Sequence, residues 1–191
     1  MLGLGVFELR ASTKTRRSNA AVMGFGRTRR VLVTDTLLRG FSPDEVETVL
    51  AHELAHQKYR DPIRGFLSDS GFTLFVLALV AWAYSATIPT VGIRTLGDMA
   101  GLPYLAALLA LFSLPLRPLE LYASRTREAR ADRFALALTR DAEHFITAMV
   151  KLHDRNLGIA NPAAWETWLF YSHPSGRDRV EMARAVRPSN P

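Results

Sequence analysis

The segment His52-Glu53-Leu54-Ala55-His56 sets two imidazoles four residues apart with a carboxylate beside the first. Residues four apart share one face of a helix, so both rings can grip a single tetrahedral metal ion while Glu53 reaches a water there. A metal plus an adjacent base is a chemistry of hydrolysis. The chain has no cysteine, which excludes a thiol nucleophile, a disulfide scaffold and a Cys-based zinc finger; any metal must be held by His and carboxylates. A catalytic zinc needs a third protein ligand and one open position. No third His follows closely downstream, and the best candidate is Glu128, in Ser124-Arg125-Thr126-Arg127-Glu128-Ala129-Arg130-Ala131-Asp132. Glu128 and Asp132 lie on one helical face. Ala131 and Ala135 are small enough there to let that helix come close to the one carrying Ala51 and Ala55. Glu128 would then ligate the metal and Asp132 would orient a ligand imidazole. Spacing alone equally allows Glu128 to pair with Arg125 or Arg127 on a solvated face.

These residues need elements to carry them. The chain has 191 residues, 48% hydrophobic and 22% charged, which suits one domain with a real core and excludes a disordered or collagenous chain. Ser42-Pro43-Asp44-Glu45 opens a helix through an N-cap, a proline in the first turn and a capping box, and it should run to about Arg60, where Asp61-Pro62 breaks it. Val6 to Leu9, Ala20 to Phe25 and Val31 to Thr34 look like strands of a small antiparallel sheet, the last two joined by a turn at Gly26 to Arg29. Leu119 to Leu138 and Asp141 to Asn156 read as helices, the second ended by Gly158, and Ser175 caps a last one with Asp178 at its third position. His144 and His153 read as helix-surface residues, and Trp165 and Trp168 as core or interfacial anchors.

The apolar residues are concentrated. Gly71 to Ile93 carries no charge, and Met99 to Leu116 is a second uncharged run with Pro103 and Pro115. Together they predict a transmembrane hairpin at about 68–117 that interrupts a single catalytic domain covering 1–191. Arginine and lysine crowd both outer flanks, whereas the connection offers only Arg94, so both flanks should lie on the cytoplasmic side of an integral membrane protein, a bacterial inner membrane being the expected one. The net charge of +6 reads as topology and lipid attraction; no nucleic-acid motif accompanies it. No secretory signal is evident at the start.

The stretch from Ser18 to Leu38, with its Gly-Phe-Gly and Asp-Thr-Leu-Leu, then His52 to His56, Ser124 to Asp132 and Ser172-His173-Pro174, resembles the membrane zinc metallopeptidases that include the CaaX prenyl endopeptidases and the HtpX heat-shock proteases. The likeness is stronger to the CaaX branch and runs from about Val6 to Val186. It implies an α+β, mainly α fold with gluzincin-like zinc-protease helices. It also implies one zinc per chain held by His52, His56 and Glu128, with Glu53 as general base and Asp132 in support. Asn19 and Ala20 match the edge strand that aligns substrate backbone, and His173 and Arg179 match a late motif expected to contact substrate or oxyanion. The implied activity is a zinc endopeptidase acting on prenylated or membrane-proximal polypeptides, with a quality-control protease of misfolded membrane proteins, or an idle membrane scaffold, as alternatives. CaaX endopeptidases carry several membrane helices ahead of these motifs, so the chain is expected to be either a fragment or a shortened homologue with the hairpin alone.

Overall fold

The computed structural model describes residues 5–24, 26–93, 95, 97–156, 159 and 161–186. Phe25, Arg94 and Gly158, which figured in the expected strand, connection and helix end, lie outside them.

Three strands β1 (Gly5–Leu9), β2 (Ala20–Met23) and β3 (Arg30–Thr34) form one sheet in the order β1-β3-β2. β2 pairs antiparallel with β3, as expected, but β1 pairs parallel with it, so the sheet is mixed and not antiparallel. The reason lies in the connection. Leu9 is level with Thr34 and Ala20 with Val33, so β1 ends and β2 begins at the same end of the sheet, and the chain between them passes across the end of β3. Asp35 holds that crossing: its carboxylate accepts the Ala11 and Ser12 backbone N–H groups at 2.9 and 3.0 Å and the Ser12 hydroxyl at 2.5 Å. A strand reaching the far side of β3 in this way can only run parallel to it.

Asp35 also begins α1 (Asp35–Gly40), a short helix that the sequence pattern did not signal. α2 (Pro43–Lys58) starts as predicted: the Ser42 hydroxyl accepts from the Glu45 N–H at 3.2 Å, and the Glu45 carboxylate accepts from the Ser42 N–H at 2.8 Å. Lys151 adds an ion pair to Glu45 at 2.6 Å, which ties this helix start to α6 (Ala142–Arg155). Arg60, in the left-handed region at φ 57°, ends the run. Asp61-Pro62 does more than break α2, because it is also the first turn of α3 (Asp61–Val91), a helix of 31 residues.

After α3 the chain returns through α4 (Leu102–Ser113) and α5 (Arg117–Thr139), joined by 3-10 turns into one helical rod over Met99–Thr139. α3 and α4 pack through Val76, Val80, Ala83, Tyr84 and Leu108, and the Thr87 and Tyr104 hydroxyls meet at 2.6 Å. Both helices are long and apolar enough to cross a membrane, yet only 22% and 11% of their most apolar stretches are buried. Trp82, Leu74 and Leu111 point outward. A core helix of a water-soluble domain would hide such residues.

α7 (Ala164–Phe170), which was not anticipated, packs on α5, and Arg125 donates to the Thr167 and Tyr171 carbonyls at its end. Trp165 and Trp168 on it are exposed, so they are not core residues. α8 (Gly176–Val186) follows the Ser175 cap, whose hydroxyl accepts from the Asp178 N–H at 3.1 Å. The main core, with Val33, Leu37, Val49, Leu136, Phe145, Ala148 and Ala183, brings β3, α1, α2, α5, α6 and α8 together, separate from the hairpin cluster.

Candidate metal centre

α2 and α5 are in close contact. The four alanines at 51, 55, 131 and 135 are all buried, and side chains this small let the helix axes approach. That approach brings Glu128 to the two histidines. His52 Nε2 lies 3.2 Å from His56 Nε2 and 3.3 Å from Glu128 Oε2, and His56 Nε2 lies 3.5 Å from Glu128 Oε1. Donors about 2.0–2.1 Å from a tetrahedral cation are separated by about 3.3–3.4 Å along each edge. The three donors therefore have the spacing of three corners of a tetrahedral divalent site.

Each imidazole presents Nε2 because its other nitrogen is held elsewhere. His52 Nδ1–H donates to Asp132 Oδ1 at 2.8 Å, and Arg179 grips the same carboxylate through Nε at 2.8 Å and a terminal nitrogen at 2.5 Å. Asp132 is fully buried. His56 Nδ1–H donates to Asp61 Oδ2 at 2.9 Å, and Arg130 bonds to Asp61 Oδ1. Asp61 was not anticipated as a site residue. The available signal was an acid five positions after His56, immediately beyond the helix stop. Burial would push the His52 pKa down, but the bonds to Asp132 and Glu128 outweigh it and raise it to about 9. The site thus favours a positive charge on that ring, and a cation can take the proton's place.

Glu53 lines the same cleft of about 430 Å³ beside the two rings, and burial raises its carboxyl pKa, which suits a group that must accept a proton. His173 reaches the rim: its Nε2 is 3.6 Å from Glu128 Oε2, its Nδ1 is 2.9 Å from the Ser172 hydroxyl, and the ring is exposed. Arg179 lines the cleft too, but its guanidinium is engaged with Asp132. His144 stays at the surface against Asp141 and Asp44. His153, expected at the surface, instead turns toward the cleft and is half-buried, with its Nε2 enclosed and without a hydrogen-bond partner among the described residues.

Asn19 and Ala20 form one wall. The Asn19 N–H donates to the Thr34 hydroxyl and its carbonyl accepts from the Thr34 N–H, both at 3.0 Å, which fixes the start of β2. β2 has a strand on one side only. On its other edge the Val22 carbonyl accepts from Gln57 Nε2 at 2.7 Å, and Ala20, two residues earlier, shares that edge.

Comparison with known proteins identifies a family. The profile of Peptidase family M48 matches residues 3–187. A Bacillus subtilis protein described as uncharacterized metalloprotease YhfN is 27% identical over 93% of the chain and 43% of its own length. An Arabidopsis thaliana CAAX prenyl protease 1 homolog is 30% identical over 95% of the chain and 42% of its own length. A Desulfotalea psychrophila protease HtpX homolog is 30% identical over 96% of the chain and 69% of its own length. The crystal structure of S. mikatae Ste24p superposes with a TM-score of 0.79 at 22% identity, covering 93% of the chain and 45% of that protein, so the fold is shared. The chain spans less than half the length of the YhfN and CAAX relatives. With the profile matched across nearly all of it, the chain belongs to peptidase family M48.

Proposed function

We propose that the chain is a membrane-embedded zinc endopeptidase that hydrolyses peptide bonds in prenylated or membrane-proximal polypeptides. The observation that carries this reading is the tetrahedral spacing of His52, His56 and Glu128 beside the half-buried carboxyl of Glu53. One zinc ion held by those donors would supply the Lewis acidity that acidifies a water and polarises the scissile carbonyl. The rest is the work of the chain. Glu53 accepts the proton of the attacking water and returns it to the departing amine. The outer edge of β2 at Ala20, held in place by the bonds of Asn19 to Thr34, pairs with extended substrate backbone and lays the scissile bond along the cleft. His173, 3.6 Å from Glu128, donates to the developing oxyanion, and Arg179 holds Asp132 so that His52 keeps its tautomer.

The hairpin α3–α4 spans the bilayer, with the basic flanks and the cleft on the cytoplasmic side of a bacterial inner membrane. A second reading, an HtpX-like protease of misfolded membrane proteins, gains weight from the coverage of 69% of an HtpX homolog's length.

The test is purification of the chain in detergent, elemental analysis, and incubation with a prenylated CaaX peptide and with unfolded casein. One zinc per chain with cleavage of the prenylated peptide supports the first reading, and cleavage of casein alone supports the second. Zinc-loaded, folded protein that cuts neither returns the chain to an idle scaffold.

A further inference from the structure

The two histidines are supported by matching arrangements. His52 is backed by Asp132 and Arg179, and His56 by Asp61 and Arg130. The first set comes from α5 and α8. The second reaches the root of the hairpin through its acid: Asp61 is the first residue of α3, while Arg130 lies on α5, two residues before Asp132. Asp61 is buried, and the left-handed Arg60 before it turns the chain so that its carboxylate points back under the last turn of α2. The Arg130 guanidinium lies over the Tyr59 ring, 4.3 Å from its centroid.

We propose that Asp61 is a positioning residue for His56, clamped by Arg130, and that through it the base of the apolar hairpin sets the geometry of the metal centre. A carboxylate on Nδ1 fixes the tautomer, aims Nε2 and raises the basicity of the ring. Because its acid is also the first residue of α3, a shift of α3 against α2 would be felt at one metal ligand and not at the other. This inference rests on the metal-site reading above.

The test uses the whole chain in detergent, titrated with cobalt(II) as a spectroscopic probe, with binding followed against a chelator. Wild type is expected to take up one cobalt with the visible bands of a four-coordinate site. Asp61→Ala should weaken binding by about 10–100-fold and shift those bands. Asp61→Asn keeps an oxygen acceptor for His56 Nδ1–H and should recover most of the affinity. Wild-type affinity and an unchanged spectrum in folded Asp61→Ala overturn the proposal while leaving the metal site standing. Failure of the wild type to bind cobalt overturns the metal-site reading and this inference with it. Should Asp61→Ala not fold, Arg130→Met releases the clamp from a partly exposed position; shifted bands there support the linkage, and wild-type bands with wild-type affinity reject it.

Discussion

His52 Nε2 lies 3.3 Å from Glu128 Oε2, although the whole apolar hairpin separates the two residues in sequence. The carboxylate is therefore delivered by the packing of α5 on α2. Replacing Glu128 with Ala should leave the helices packed while removing one of three donors. Metal affinity should fall by more than the roughly 10–100-fold that loss of an outer hydrogen-bond partner costs. Equilibrium dialysis checks this, and stoichiometric metal in the variant would remove Glu128 from the ligand set.

Glu53→Gln keeps the shape of the side chain and removes its basicity. One metal per chain should be retained, and kcat should drop by about 10²–10⁴-fold, the usual contribution of a positioned base. Steady-state kinetics on the same preparation used for elemental analysis decides it; a wild-type rate would assign the base elsewhere.

Ala55 and Ala131 are fully buried where α2 and α5 meet. Ala55→Leu would overpack that contact at a cost of about 1–3 kcal/mol. Because the extra methyl groups push α5 outward, metal affinity should decline together with the melting temperature. A variant that melts lower but binds metal normally would show that the two helices can separate without moving Glu128.

The Asp35 carboxyl is lowered from 3.8 to about 2, first by the Ser12 hydroxyl; burial opposes the shift, and the Ser12 and Ala11 N–H groups and the Arg39 charge reinforce it. Its folded pKa is thus below its unfolded one. The stabilisation is complete above about pH 4 and is lost as pH falls through about 2. Asp35→Asn should melt below wild type at neutral pH, and the two melting curves should converge between pH 4 and pH 2. A gap independent of pH across that range would mean that the carboxylate charge is not what holds the β1–β2 crossing.

Trp82 is 69% exposed in the middle of α3. In a water-soluble protein, arginine at so open a position would be harmless. In a bilayer-spanning helix it costs about 2.5–3.5 kcal/mol of insertion free energy. Trp82→Arg should therefore reduce the fraction recovered in membranes after carbonate extraction, and unchanged recovery would argue against α3 as a span.

The parts of this site legible in sequence were those written in local spacing. The His52–His56 pair and the Ser42–Glu45 capping box each fit within one or two helical turns, where periodicity dictates which residues share a face. Glu128 was legible as a candidate because the alanines at 131 and 135 foretold a close helix contact, yet spacing could not choose between a metal and a neighbouring arginine. What escaped depends on contacts between distant segments. β1 is exposed at all five positions, so no alternation of burial announced its side of the sheet, and its parallel pairing follows from Asp35 catching residues 11 and 12. Asp61 looked like punctuation between helices because its role depends on the backbone reversing at Arg60. α7 is short and lacks a polar cap side chain at Ala163, which left no start signal.

The rod that runs unbroken from Met99 to Thr139 places Glu128 twelve residues beyond Leu116, where the second apolar run stops. At 1.5 Å per residue the metal donors sit at most about 18 Å from the end of that run. On the proposed reading, with the run in a bilayer, this offset would work as a ruler. A polypeptide tethered by a lipid or by its own membrane anchor would need about five or six extended residues of slack to reach the cleft, and a shorter leash would leave its target bond out of range.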